Sequence, residues 1–153
     1  MDSIRNPNGS SRGQTLVEFA LIAPVIFILL FGIIDFGMYL DHRITLQHAI
    51  REGARYAAVH ATCEDLRSRT AEESHGIVDA AEVCVRYFDS DGTTPTNPAA
   101  AGDVVEVSAP LNYDVPLFDR FFGLGDITVN VSGSARLEMA VTSAGGIGCG
   151  PCP

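Results

Sequence analysis

A long apolar run lies within residues 11–40 of this chain, SRGQTLVEFALIAPVIFILLFGIIDFGMYL. Its residues carry no charge from Phe19 to Ile34, which corresponds to about 24 Å of α-helix. Continuing through Asp35 to Leu40 gives about 33 Å, enough to cross the roughly 30 Å hydrocarbon core of a bilayer. We therefore predict a single membrane-spanning helix over residues 14–40.

A cleaved secretory signal peptide is the first alternative to a membrane span. Its apolar region would measure about 7–15 residues and end in a small-x-small cleavage site. Here the apolar region is longer, and FGMYLDH at 36–42 contains no such site. An uncleaved, single-pass anchor is the alternative that stays open.

The helix is predicted to continue beyond the membrane to about His60, with residues 41–62 as an amphipathic continuation. No proline follows Leu40 until well past this segment. Residues at helical spacing form one apolar face: Leu46, Ile50, Gly53 and Ala57. Ala49, Gly53 and Ala57 also place a small residue on every fourth position, which lets a second helix approach closely. Within the span, Pro24 is expected to kink or locally melt the helix.

Residues 63–142 are predicted to form an extracytoplasmic α+β domain. A polar helix is expected from Cys63 towards Gly76, followed by a strand at 82–88 and a loop at 89–103. Apolar residues then alternate with polar ones over 105–115 and over 127–141, where Met139 belongs to the apolar set, which is typical of half-buried antiparallel strands.

The sheet is predicted to have about three strands and to pack on the apolar face from Leu46 to Ala57. Pro110 and Pro116 are expected to make the second strand an edge strand or to break it. LFDRFFGLGD at 117–126 is expected to form a short helix whose Phe residues cover the sheet. The fold class is therefore α+β, with one long N-terminal helix and a small antiparallel sheet.

The orientation is indicated by the cysteines, because arginines lie on both sides of the span and the positive-inside count does not decide. An even number of cysteines on one side of a membrane segment favours an oxidising compartment there. The four that follow the span are Cys63, Cys84, Cys149 and Cys152. We therefore predict a cytoplasmic N-terminus and an extracytoplasmic C-terminal domain.

We predict one disulfide between Cys63 and Cys84, joining the end of the long helix to the first strand. The second is predicted between Cys149 and Cys152, inside the Gly/Cys-rich tail at 143–153. Pairing across these two, such as Cys84 with Cys149, stays open. CGPC at 149–152 also occurs in thioredoxin-like enzymes, where a following helix lowers the thiol pKa. Only Pro153 follows here, so a membrane-tethered thiol–disulfide oxidoreductase is the alternative that the sequence favours least.

Composition argues against several other functions. The formal net charge is −9, and a nucleic acid partner would require clustered basic residues. The histidines show no spacing typical of a zinc site: His42, His48, His60 and His75. No phosphate-binding loop or nucleophile motif is present. We therefore predict no cofactor, no metal and no catalytic residue.

The sequence GQTLVEF at 13–19 resembles the processing signature of prepilins, in which a small residue precedes the cleaved bond and Glu is fifth after it. The continuation, with an early proline and the tail REGARYAA at 51–58, closely resembles the TadE-like family over residues 12–59. Members of that family are minor pilins, or pseudopilins, of tight-adherence (Flp-type) pilus systems.

The resemblance implies that residues 1–13 are a cytoplasmic leader and that a prepilin peptidase cuts between Gly13 and Gln14. Glu18 would then be an assembly contact that sets register by pairing with the new α-ammonium of Gln14. The protein would lie in the bacterial cytoplasmic (inner) membrane, with a pilin-like α+β domain outside. Its partners would be the lipid bilayer, the prepilin peptidase, other pilins or pseudopilins, and inner-membrane pilus assembly proteins.

Overall fold

The computed structural model describes residues 11–59, 63–96, 99–123, 125–141, 148–149 and 152 of the 153-residue chain. Three α-helices are described: α1 (Ser11–Val59), α2 (Cys63–Glu73) and α3 (Pro116–Phe122). Four strands are described: β1 (Cys84–Phe88), β2 (Val104–Tyr113), β3 (Ile127–Arg136) and β4 (Gly148–Cys149). A short 3₁₀ turn, Ala80–Glu82, joins the α2 region to β1.

The long helix α1 confirms the predicted continuous helix. Its 49 residues correspond to about 74 Å along the helix axis. The helix is assigned without a break through Pro24, so local melting at that proline is not observed. A bend of the axis at Pro24 stays a prediction.

The sheet is antiparallel and has the order β3-β2-β1-β4. The three predicted strands are confirmed, with β2 between β1 and β3; Val107 lies opposite Val85 on one side and Gly133 on the other. A two-residue fourth strand, β4, pairs with the outer edge of β1 and was not predicted.

The sheet packs on the second half of α1, as predicted. Side chains from α1, α2 and the sheet form one hydrophobic core; its largest fully buried members include Leu46, Ile50, Leu66, Val85, Val105, Val107 and Leu111. Gly133 of β3 lets α1 approach closely, because a Cβ there would lie 3.0 Å from the Ile50 side chain.

The small residues of α1 allow α2 to pack closely against it. A Cβ at Gly53 would collide with the Thr70 hydroxyl, whose oxygen already donates a hydrogen bond of 2.9 Å to the backbone carbonyl of Leu66. The close helix approach that the spacing of Ala49, Gly53 and Ala57 predicts is therefore made within this chain.

The prediction that prolines make β2 an edge strand is wrong for the strand as a whole, which lies between β1 and β3, and holds only for its second half. β1 pairs with β2 only as far as Ser108, so β2 beyond that residue is paired with β3 alone. Pro110 lies in this singly paired part, opposite Asn130, where a missing N–H group leaves the β1–β2 ladder intact. Pro116 does end the strand region, because it occupies the first turn of α3.

Two residues of the apolar run predicted over 127–141 are more exposed than predicted. Ile127 begins β3 and remains 46% exposed, and Met139 lies beyond the end of β3 and is 62% exposed. Leu137 and Val141 are buried, as predicted. α3 confirms the short helix between the strands, but the prediction about its Phe side chains falls on Phe118, Phe121 and Phe122, which lie outside the described side chains.

Candidate functional site

The residues of the processing signature lie in the first turns of α1. Gly13, Gln14 and Glu18 are all exposed, and residues 14 and 18 are one helical turn apart. Glu18 forms no hydrogen bond or ion pair with any side chain that the structure describes. This end of the chain therefore leaves both the Gly13–Gln14 bond and the Glu18 carboxylate accessible to another molecule.

The apolar part of α1 is uncovered. No residue between Gly13 and Ile34 is buried; Leu21, for example, is 72% exposed. Among the described residues, α1 is the one helix long and apolar enough to cross a membrane. In water such a surface would be strongly unfavourable, which is the physical basis for expecting a membrane or other helices around it.

The folded domain reaches α1 at Asp35. Asp35 is only 3% exposed, although it lies within the predicted span of 14–40. The Tyr113 hydroxyl at the end of β2 donates a 3.2 Å hydrogen bond to the Asp35 backbone carbonyl. The uncovered helix is therefore 14–34, which is about 32 Å and still matches a bilayer.

An aromatic cluster lies at this junction between α1 and the end of β2. The Tyr113 ring lies edge-on to Tyr39, with ring centres 5.6 Å apart, and to His42, with centres 5.3 Å apart. Burial raises the pKa of Tyr113, and the negative charge of Asp35 raises it further. The sequence signal for this junction was the carboxylate inside an apolar run, but its partner, Tyr113, is 78 residues away and no local pattern identifies it.

The cysteines are all paired, but the predicted pairing was wrong. Cys63 bonds to Cys149, with Cα atoms 6.1 Å apart, and Cys84 bonds to Cys152, with Cα atoms 5.0 Å apart. The physical reason is β4, which places Cys149 opposite Val85 and so brings the tail across to both α2 and β1. Cys149 and Cys152 therefore each hold the tail to the domain, not to one another.

The described residues contain no cluster of three or more His, Cys, Asp or Glu side chains placed to hold a metal ion. His42 lies edge-on to Tyr113, His75 is exposed in a turn with φ of 55°, and His60 lies outside the described residues. Of the predicted site residues, Gly13, Gln14 and Glu18 are exposed at the N-terminal segment of α1.

Comparison with protein families bears on that segment directly. Residues 13–55 match the family model described as TadE-like protein. Most of α1 is therefore similar to that family. The match begins at Gly13, confirms the resemblance read from the sequence, and covers less than a third of the chain.

The TadE-like segment spans the whole uncovered part of α1 and most of the part that packs on the sheet. No curated protein and no solved structure matches this chain. The domain formed by β1–β4, α2 and α3 lies beyond the matched residues.

Proposed function

We propose that this protein is a TadE-like minor pilin, or pseudopilin, that is cleaved between Gly13 and Gln14 and takes part in tight-adherence pilus assembly and surface attachment. One observation carries the proposal: an accessible Gly13–Gln14 bond and an accessible Glu18 stand at the start of an uncovered apolar helix that matches the TadE-like family.

Electrostatics supports a role for Glu18 in assembly. A charged side chain within a bilayer costs about 2.5–3.5 kcal/mol on insertion scales unless it is paired. Cleavage after Gly13 creates an α-ammonium on Gln14, one turn away in the same chain and accessible to a neighbouring chain. Pairing of Glu18 with this group in a neighbouring subunit would neutralise both charges and fix the relative height of the two helices.

The location follows from the same features. Residues 14–34 would cross the bacterial cytoplasmic membrane, and the disulfide-bonded domain would lie outside, in an oxidising compartment. The partners would be the bilayer, a prepilin peptidase, and the other pilins and assembly proteins of the system. Nucleic acid is not among them, because the net charge of −9 opposes phosphate binding.

Two alternative functions would require different features of the chain. An uncleaved anchor would keep its first residues and would give Glu18 no ammonium partner. A thiol–disulfide enzyme would need Cys149 and Cys152 as its exchangeable pair, whereas each is bonded to a different segment of the domain.

The N-terminal sequence of the membrane-bound protein tests the proposal, determined in its own host with and without the prepilin peptidase. We expect the chain to begin at Gln14, and to begin at Met1 when the peptidase is absent. A chain that begins at Met1 in both strains would overturn the processing step.

The role of Glu18 needs a second measurement, in which Glu18→Gln and the charge-conserving Glu18→Asp are compared. We expect Glu18→Gln to be cleaved normally but to abolish pilus assembly, and Glu18→Asp to retain part of it. Normal assembly by Glu18→Gln would remove the register contact from the proposal while leaving cleavage intact.

A further inference from the structure

An apolar groove lies where α1 leaves the folded domain. It has a volume of about 640 Å³, and its walls come from α1 and from the ends of β2 and β3. We call it the foot groove. It is lined by the apolar and aromatic side chains of Phe36, Tyr39, Tyr113, Val115 and Ile127, by the buried Asp35, and by Gly32 and Gly125. Its size falls within the range of about 300–1,000 Å³ that is usual for small-molecule sites.

The foot groove is continuous with the uncovered surface of α1. Gly32 belongs both to that surface and to the groove lining, and Phe36, one turn further, is 61% exposed. If residues 14–34 lie in lipid, the groove opens at the outer boundary of the hydrocarbon layer. An apolar cavity at that height faces acyl chains, with no wall of protein between them.

A further element lies beside α1 at this end of the domain. It is α3, which follows β2 and precedes β3, the two strands that contribute to the groove.

Charges beside the groove indicate which headgroup fits. Asp114 and Asp126 directly precede the lining residues Val115 and Ile127 in the chain. The neighbouring carboxyl group of Asp126 is the main cause that raises the pKa of Asp114, with smaller contributions from desolvation and from the charge of Asp119. Arg120 of α3 is also exposed at this end. Three carboxylates against one guanidinium favour a headgroup that carries an ammonium over one with a net negative charge.

A second copy of the chain fits these charges less well. Between residues 14 and 34 the only charged side chain is Glu18, so the apolar helix of a neighbour offers no cation to the carboxylates beside the groove. The α-ammonium that cleavage would create at Gln14 lies about 32 Å away, at the opposite face of the membrane.

We propose that the foot groove binds an acyl chain of an outer-leaflet phospholipid whose headgroup carries an ammonium, such as phosphatidylethanolamine. This inference rests on the proposed membrane anchoring of α1. It would make the bound lipid part of the junction between the helix and the domain.

The absence of tryptophan from the sequence makes a direct test possible. Ile127→Trp places a single fluorophore in the groove, and Thr128→Trp places one at the same height on the opposite face of β3, since neighbouring strand residues face opposite ways. Phe27→Trp reports on the anchor. Each full-length variant is reconstituted into vesicles whose phospholipids carry bromine on the acyl chains, which quenches tryptophan fluorescence on contact.

We expect strong quenching of Phe27→Trp and several-fold stronger quenching of Ile127→Trp than of Thr128→Trp. If Phe27→Trp is strongly quenched but Ile127→Trp and Thr128→Trp are quenched equally, whether weakly or strongly, the groove site is overturned and the membrane anchor stands. An unquenched Phe27→Trp would overturn the anchor itself. Quenching of Ile127→Trp that disappears as the protein-to-lipid ratio rises would assign the groove to a second copy and overturn the lipid.

The headgroup preference is tested in mixed vesicles in which only one lipid is brominated. We expect Ile127→Trp to be quenched more by brominated phosphatidylethanolamine than by brominated phosphatidylglycerol at the same mole fraction. In the background Asp114→Asn/Asp126→Asn the two should quench equally. Equal quenching in the unmodified background would overturn the headgroup assignment.

Discussion

The Tyr113 hydroxyl donates a 3.2 Å hydrogen bond to the backbone carbonyl of Asp35, which ties the end of β2 to α1 across 78 residues of sequence. This contact fixes the point at which α1 leaves the domain. It divides the helix into an uncovered part, 14–34, and a part that packs on the sheet. The length of helix available to a membrane is therefore set by tertiary structure as well as by hydropathy.

Tyr113→Phe should weaken this junction. Removing the hydroxyl deletes a buried hydrogen bond, so we expect the free energy of unfolding to fall by about 1 kcal/mol. Tyr39→Phe is the matched control, because it keeps the ring contact with Tyr113 and leaves the bond to Asp35 intact. Thermal unfolding of the full chain in detergent micelles measures both. Equal stability of Tyr113→Phe and the unmodified protein would show that the bond contributes nothing.

The ionisation of tyrosine provides a pH-dependent test. Burial raises the pKa of Tyr87 and Tyr113 above the ordinary value of about 10, and the charge of Asp35 adds to the effect at Tyr113. Above that pH the unfolded chain releases protons that the folded chain keeps, so the unfolded state is favoured. We therefore expect stability to fall as the pH rises through about 10 and beyond.

Absorbance of tyrosinate follows the titration directly, since the chain has four tyrosines and no tryptophan. Tyr87→Phe and Tyr113→Phe should each remove one late-titrating component. Asp35→Asn should shift the Tyr113 component towards lower pH, because it removes the negative charge that disfavours tyrosinate. A Tyr113 component that does not move in Asp35→Asn would contradict the electrostatic part of this account.

The elements that could be predicted from sequence are those encoded by local periodicity. The apolar face of α1 and the alternation of β2 correctly predict both a secondary structure and a buried side. The alternation of β3 correctly predicts the strand, but Ile127 and Met139 are exposed although the pattern predicts them buried. The register of Glu18 relative to Gly13 is equally local. Long apolar runs and alternating patterns are local, which is why the helix and the strands could be predicted, whereas the roles of Gly13 and Glu18 stay predictions.

The features that could not be predicted are contacts between segments that lie far apart in the sequence. The pairing of Cys63 with Cys149 requires the tail to return to β1 as a fourth strand of only two residues, and so short a segment has no periodicity to detect. Pro110 correctly indicates a free edge, but only for the part of β2 beyond Ser108, because the sequence does not show that β1 pairs with the first half of the strand. The burial of Asp35 likewise depends on a tyrosine far along the chain.

Gly53→Ala tests the contact between α1 and α2. Alanine is the better helix former by about 1 kcal/mol, yet its Cβ would collide with the Thr70 hydroxyl. Thr70 is branched at Cβ and hydrogen-bonded to Leu66, so it cannot move away cheaply. We expect a net loss of about 1–3 kcal/mol in the free energy of unfolding.

The chain offers a matched control and a rescue for Gly53→Ala. Gly37 is also inside α1, but a Cβ there meets nothing within 4 Å, so Gly37→Ala should leave stability unchanged or raise it. Gly53→Ala combined with Thr70→Ser, which keeps the hydroxyl but removes the methyl group, should recover little. Combination with Thr70→Ala should recover most of the loss, and its failure to do so would show that the hydroxyl is not the obstacle.

The disulfide pattern can be read from a tryptic digest under non-reducing conditions. Cleavage after arginine places Cys63 in peptide 56–67, Cys84 in peptide 70–86, and both tail cysteines in peptide 137–153. The pairs Cys63–Cys149 and Cys84–Cys152 join all three peptides into one species. The pairs Cys63–Cys84 and Cys149–Cys152 would instead give a two-peptide species and a separate tail peptide.

Cys149→Ser separates the two pairings that both join three peptides. With Cys84–Cys152 intact, we expect peptide 70–86 to remain linked to 137–153 while 56–67 is released. A link between 56–67 and 137–153 would show that Cys63 bonds to Cys152 instead. Each bridge closes a long loop, with sequence separations of 86 and 68, so the chain-entropy model gives about 4–5 kcal/mol for either alone. Because the loops overlap, the second bridge should contribute less once the first is closed, so Cys149→Ser should cost less than that value in thermal unfolding.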